Sequence, residues 1–461
     1  MTLVDDLARF AVDASFDDLS AAAGRELKVR ILDALGCAIG ALGADPIRML
    51  RDYLADMGGA PRSTLIGGGR TSPDRAALFN SALVRYLDFN DSYLAKGETC
   101  HPSDNLGAIL AAAEYADAGG NDLLTALAVA YQVQCRLSDV APVRAKGFDH
   151  TTQMAYGTAA GVSRALGLDA TKTANAIAIA GTAFNALRVT RTGRLSHWKG
   201  LAAPNTAMAG THAAFLAMRG ITGPPEVFEG NKGFMDAIAG RFEIDWSRED
   251  LERVTRTILK RYNAEVHSQS ATEGLLEMQA SHPFSAQDVE GIDIEIFDVA
   301  YHIIGGGEEG SKLGVRTKEE ADHSLPYIVS AALLDGTVMP AQYEPDRIVR
   351  DDVQSLHRRV TVRPATDLSD RFPAEMPCRL TVRLKGGKIF EAAKRDYEGF
   401  HTRPMSWETV TAKFDRLAAP RTTKDLRRAI VTAVRSLEVG TTADLMKLLA
   451  KVKDPTRKVR R

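Results

Sequence analysis

The chain has 461 residues, enough for two or three domains of ordinary size. Its 45% hydrophobic and 25% charged content is that of a soluble globular protein. With 58 basic and 59 acidic residues the formal net charge is −1, which gives no electrostatic reason to expect a nucleic-acid partner.

The opening, MTLVDDLARFAVDASFDD, is acidic and lacks the basic and apolar regions of a signal peptide. No run approaches ~18 uninterrupted apolar residues, so no membrane span is expected. Apolar residues at helical spacing predict helices over 19–42, 105–118, 121–140, 151–168 and 170–187. Several are rich in Ala and Gly, which permits close helix packing. Residues 247–262, SREDLERVTRTILKRY, read as a further helix with an N-cap. After about residue 265 the pattern changes. Residues 291–304, 358–365 and 378–393 alternate and carry β-branched residues, as strands do. The Gly-Gly of LKGGKI suits a hairpin turn. HSLPYIVSAALLDG (323–336) reads as a helix with Pro326 in its first turn, and 405–453 returns to helix, with one N-cap at Thr422 or Thr423. The charged tail KVKDPTRKVRR is expected to fray. The fold expected is α-dominated with two domains: a large all-helical domain over 1–266 completed by 405–461, and a smaller α+β lid domain over 267–404.

Positive charge is concentrated in one window. Residues 170–225 contain no carboxylate, where about seven would be expected from overall composition, yet they hold Lys172, Arg188, Arg191, Arg194, Lys199 and Arg219. The segment RVTRTGRLSHWKG (188–200), assigned to the helical domain, suits a small multiply charged anion, since Arg grips carboxylates bidentately. A solvated basic loop is the alternative.

Three clusters carry side chains capable of acid–base chemistry. In YLDFNDSYLAKGETCHPSDNLGAIL (86–110), Asp88, Asn90, Asp91, Ser92 and His101 fall within 14 residues, and Ser103 or Asp104 is placed to cap the next helix. Ordinary turn formers would produce the same pattern. LKRYNAEVHSQSATEG (259–274) brings Lys260, Arg261, Glu265, His267 and Gln269 to a domain junction, where ligand sites are common. In GFDHTTQMAYG (147–157) Asp149 and His150 precede a helix. No HExxH, no pair of His at i, i+4 and no CxxC occurs among Cys37, Cys100, Cys135 and Cys378, so no metal is expected, and a reduced, cytoplasmic setting fits best. GGGEEGSKLG (305–314) lacks the phosphate-binding pattern GxxxxGK[ST] and reads as a mobile loop.

Taken in order, LDALGCAIGAL, YLDFNDSYL, HPSDNLGAIL, GFDH, SHWKGLAAPNTA, AEVHSQSATEG and DHSLPYIVSAALLDG resemble the MmgE/PrpD family. That family includes 2-methylcitrate dehydratase, cis-aconitate decarboxylase and iminodisuccinate epimerase. The run DFND, HPSDN and AEVHSQSATEG is most similar to the 2-methylcitrate dehydratase branch. The resemblance implies a homodimer and cofactor-independent chemistry on a small tricarboxylate, with decarboxylase, epimerase and a non-catalytic anion-binding homologue as alternatives. It also implies the site residues. Asp88, His101, His150, Lys199, Lys260 and Tyr327 are the catalytic candidates. Asn90, Asp91, Ser92, Arg191, His267 and His323 are the substrate-binding ones. Two positions depart from the family's pattern: Asn263 stands where relatives often have Pro, and Cys100 where a Gly commonly precedes His-Pro.

Such a pocket matches the chemistry of a tricarboxylate, which bears about three negative charges at neutral pH. Lysines neutralise them and stabilise an aci-carboxylate or enolate. Dehydration also requires a base for the carbon-bound proton and an acid for the departing hydroxyl. The basic segment and Tyr327 were assigned to different domains, so one substrate contacting both implies a cleft and a closing motion.

Overall fold

A computed structural model describes residues 2–456; the last five residues of the charged tail lie outside that range. The chain divides into two compact units. The first comprises the residues up to Thr190, Gly200–Thr257 and those from Ser406 onward; the second comprises Arg191–Lys199 and Ile258–Met405.

The first unit is helical. Its helices include Ala21–Ala41, Leu106–Tyr115, Gly120–Val140, Thr151–Ala165 and Ala170–Ala183, close to the ranges that periodicity predicts, and Pro73–Tyr86, which is not among those ranges. Small residues let these helices approach one another. A Cβ on Gly157 or Gly161 would stand 2.9 or 2.8 Å from the carbonyl oxygen of Ala130 or Ala126 on the neighbouring helix. The C-terminal helix Trp407–Ala418 packs on Ala21–Ala41. There Lys413 pairs with Asp33 at 2.7 Å, donates to the Phe89 carbonyl at 2.8 Å and lies over the Phe89 ring. All three side chains are buried. The ammonium is therefore compensated where an isolated charge would be costly.

The second unit is mixed. Its four-stranded sheet has the order Val360–Pro364, Val289–Ile296, Cys378–Leu384, Ile389–Lys394; the first pair is parallel and the others antiparallel. Val289, Ile292, Ile294 and Ile296 are buried with Cys378, Leu380 and Val382, so one face is apolar. The helix Gln269–Ser281 packs against the last two strands. The LKGGKI turn closes the hairpin, with Leu384 donating to the Lys388 carbonyl and Gly387 at φ +77°. Ser324 caps the helix Leu325–Asp335 through the amide of Tyr327, with Pro326 in the first turn.

Five local expectations fail. Residues 247–262 form no α-helix, only short 3₁₀ turns at Trp246–Arg248 and Arg253–Arg256. Their apolar residues Leu251, Val254, Ile258 and Leu259 are buried by tertiary packing, not along one helical face. The strand beginning at Val289 stops at Ile296, and 298–305 turn helical. The boundary lies at 257/258 instead of 266/267, and Arg191–Lys199 packs with the second unit, not with the helices. Ser103 and Asp104 do not cap a helix through their side chains; both lie inside a 3₁₀ turn, Pro102–Asn105, and are engaged elsewhere.

Candidate active site

In the first unit the DFND loop leaves the helix Pro73–Tyr86 and turns at Asp88, a non-glycine residue at φ +55°. Its carboxylate is held by Arg85 Nη1 at 2.5 Å, and both side chains are buried. Positive φ costs energy for a side-chain-bearing residue; Asp tolerates it better than most. The loop is then fastened to the HPSD turn. Asp91 Oδ1 accepts from the Ser103 amide (3.1 Å) and hydroxyl (2.7 Å), and Oδ2 accepts from Tyr131 Oη (2.8 Å). Asn90 Nδ2 donates to Ser103 Oγ at 2.8 Å and Asp104 Oδ1 at 2.9 Å. Burial pushes the Asp91 carboxyl up, against the pull of those hydrogen bonds. Both Asp91 oxygens are occupied, so the substrate-binding role expected for Asp91 gives way to a scaffolding one.

That scaffold holds His101. Its Nδ1 lies 2.8 Å from the Asp91 carbonyl oxygen and 3.1 Å from Ser92 Oγ. A carbonyl only accepts, so Nδ1 carries the proton and the Ser92 hydroxyl oxygen shares it. In the neutral ring the lone pair is then on Nε2, the arrangement of a general base. His150 lies beside it: the two rings stand edge to face with centroids 5.3 Å apart. His150 immediately precedes the helix Thr151–Ala165, and its Nε2 is 3.8 Å from Asp149 Oδ1. That is beyond hydrogen-bond range. The three segments DFND, HPSD and GFDH thus meet in this unit.

The second unit gathers cations around one buried carboxylate. Asp322 Oδ1 accepts from Lys199 Nζ at 2.8 Å, and Oδ2 accepts from Lys318 Nζ at 2.6 Å. His323 Nδ1 lies 2.7 Å from Asp322 Oδ1 and 3.0 Å from Lys199 Nζ. Burial alone would raise the Asp322 pKa, but Lys199, Lys318 and His323 outweigh it and hold the group ionised far below its usual range. Arg191 Nη1 donates to the Lys199 carbonyl at 2.9 Å, which fixes the basic segment's backbone. The AEVHS segment is tied in through the Glu265 amide, which donates to the Asp322 carbonyl. Glu265 Oε1 holds His267 Nδ1 at 2.7 Å. Burial raises the Glu265 carboxyl, yet His267, His323 and Lys260 bring it below its usual value. Lys260 is fully buried.

Tyr327 does not share this setting. Its ring is fully buried in an apolar cluster with Ala264, Ile328, Ala331 and Val338, and its hydroxyl donates to the Gln342 carbonyl at 2.5 Å. Burial pushes the phenol up. The expected catalytic hydroxyl is instead a packing residue's satisfied polar end. Residues that sequence reasoning passed over take part in its place. Asp322 and Lys318 were visible only as neighbours of His323. Lys312, from the glycine-rich loop, lines a cavity of about 270 Å³ with Arg194. Burial holds its ammonium below the usual range, while Glu309 and Glu265 oppose that.

Two family descriptions cover the chain: the MmgE/PrpD N-terminal domain matches residues 5–247 and the MmgE/PrpD C-terminal domain matches 262–439. The chain belongs to the MmgE/PrpD family. Among its relatives, a 2-methylcitrate dehydratase of Cupriavidus necator is 29% identical over 81% of each chain. A cis-aconitate decarboxylase of Mus musculus is 28% identical over 90% of this chain and 86% of its own. An alkylcitrate dehydratase from a fungal species is 28% identical, covering 85% and 83%. The junction between the two MmgE/PrpD domains, 247–262, spans the unit boundary at 257/258, while the C-terminal domain runs on into the part of the helical unit that begins at Ser406. No helix among the described residues is long and apolar enough to cross a membrane.

Proposed function

We propose that this MmgE/PrpD member is a lyase that dehydrates a small tricarboxylic acid such as 2-methylcitrate or citrate, without a metal or organic cofactor and as a homodimer. The observation that carries the reading is the buried His101–His150 pair, with His101 Nδ1 committed to the Asp91 carbonyl. His101 Nε2 takes the proton from the carbon next to a carboxylate. The electron pair moves into an aci-carboxylate. His150, charged beside Asp149, gives a proton to the departing hydroxyl, which leaves as water; solvent then resets both rings. The reading assigns substrate carboxylates to Lys199 and His323, with Lys260 and His267 supporting them electrostatically.

Decarboxylation is the second reading, because loss of CO₂ leads to a carbanion of the same kind and the mouse cis-aconitate decarboxylase spans the larger share of this chain, 90% against 81%. Proton NMR of the protein with 2-methylcitrate, citrate, cis-aconitate and iminodisuccinate separates the readings. A vinyl proton signal growing from citrate, or the methyl doublet of 2-methylcitrate giving way to an allylic methyl singlet, supports the hydro-lyase; loss of CO₂ from cis-aconitate replaces it with the decarboxylase. No change in any of the four substrates leaves an anion-binding homologue.

A further inference from the structure

Glu98 lies three residues before His101, on the second strand of the hairpin Tyr93–Ala95/Glu98–Cys100. Only 3% of its surface is exposed. Its side chain reaches across to the loop that carries His150. Oε2 accepts from the backbone amides of Val143 at 3.3 Å and Arg144 at 3.1 Å, and Oε1 accepts from its neighbour Thr99 at 3.2 Å. That loop is closed on itself, with the amides of Lys146 and Phe148 both donating to the Val143 carbonyl. The Asp149 amide then donates to the Ala186 carbonyl just before His150. One buried carboxylate therefore joins the strand leading into His101 to the loop leading into His150.

Glu98 also feels charged side chains. Arg188 and Asp149 act on it, and Arg188 Nη1 is 3.9 Å from Asp149 Oδ2. Across the hairpin, Asp139 of the helix Gly120–Val140 is occupied by Tyr93 Oη, Arg136 and Arg253, and Arg136 is paired with Glu249. Burial, offset by Arg188 and reinforced by Asp149, lifts the Glu98 carboxyl from 4.5 to about 7. This group therefore changes charge in the range where an imidazole does.

We infer that Glu98 is a positioning residue: it fixes the two histidine-bearing segments to one another and, through its own charge, governs the proton on His150. The inference rests on the proposed role of His101 and His150 in proton transfer. Above neutrality the ionised Glu98 joins Asp149 in favouring the imidazolium. Below it the protonated acid withdraws that support and accepts more weakly from Val143 and Arg144.

The test uses full-length protein labelled with ¹³Cε1-histidine, the His150 signal being assigned with His150→Asn. In the substrate-free wild type that signal should respond to a second ionisation near 7. In Glu98→Gln, which keeps an acceptor oxygen and loses the charge, the second ionisation should vanish and the His150 midpoint should fall by about half a pH unit or more. With the active substrate, kcat should fall about 10-fold in Glu98→Gln and about 100-fold in Glu98→Ala, with KM changing far less than kcat. A single-step wild-type titration, or a His150 midpoint in folded Glu98→Gln equal to that of wild type, overturns the inference; neither depends on a folded Glu98→Ala or on turnover. Inactivity toward all four acids instead removes the proposed reaction and leaves the titration to decide Glu98.

Discussion

His101 and His150 are 49 positions apart in sequence, yet their rings meet at 76° with 5.3 Å between centroids. Neither is a surface histidine; both are buried, His101 against the Asp91 carbonyl and His150 near the Asp149 carboxylate. In the proposed dehydration the two serve as base and acid, the division of labour that the reaction needs.

His101→Ala should therefore lower kcat by roughly 100-fold or more while leaving the fold intact, because it removes the imidazole held at Nδ1 by the Asp91 carbonyl and Ser92 without leaving a buried charge. Steady-state kinetics alongside circular dichroism checks it. Turnover like that of wild type in a folded variant removes His101 from the mechanism.

Lys199→Ala deletes one of two ammonium groups on Asp322 and leaves Lys318 in place at 2.6 Å. The variant should fold, and KM should rise about 10- to 150-fold, equivalent to about 1.5–3 kcal/mol of charge-assisted hydrogen bonding. Asp322→Asn is the harsher change. It leaves buried Lys199 and partly buried Lys318 without their shared counter-charge and should cost about 3–5 kcal/mol of stability. Urea melts of both variants distinguish binding from folding; equal stability losses would argue that Lys199 serves the fold alone.

Tyr327→Phe should leave kcat within about 2-fold and reduce stability by about 1 kcal/mol, the net worth of one buried hydrogen bond. The hydroxyl is engaged with the Gln342 carbonyl and the ring packs beside Tyr343. A large fall in kcat with an unchanged melting temperature would restore Tyr327 to the catalytic set.

The stability contributed by Asp322, Glu265 and Glu98 should be greatest near pH 4.5 and fall as pH rises from there to about 7. Asp322 and Glu265 have folded pKa values below their ordinary 3.8 and 4.5, so their contribution is present above those values and is lost as pH falls through the folded ones. Glu98 has the opposite sign: raised from 4.5 to about 7, its contribution is present below 4.5 and is lost as pH rises through 7. A series of melting temperatures from pH 3 to 9 for wild type, Asp322→Asn and Glu98→Gln reads both limbs. Asp322→Asn should flatten the acid limb and Glu98→Gln the alkaline one; unchanged limbs in both variants reject the assignment.

The elements whose determinants are local were legible in the chain. The helix Leu325–Asp335 follows from Ser324, Pro326 and an apolar run, the hairpin from Gly-Gly between alternating strands, and the helix Lys424–Arg435 from its Thr423 cap. The motifs bearing His101, His150, Lys199 and His323 were legible as well, because their residue types and order match a family. Residues 247–262 were misread because their helical periodicity was overruled by tertiary burial. The bond from the Tyr327 hydroxyl to the Gln342 carbonyl was not legible, because a motif match does not reveal which way a hydroxyl points. Only the tertiary structure decided that His101 donates from Nδ1, that Asp322 gathers Lys199 from 123 positions away, and that Glu98 spans to Val143 and Arg144 across more than 40 residues. Periodicity, caps and turns act over a few residues and leave a trace in sequence. The partner of a buried charge is selected by whichever distant segment the packed core brings within about 3 Å, and no local pattern records that choice.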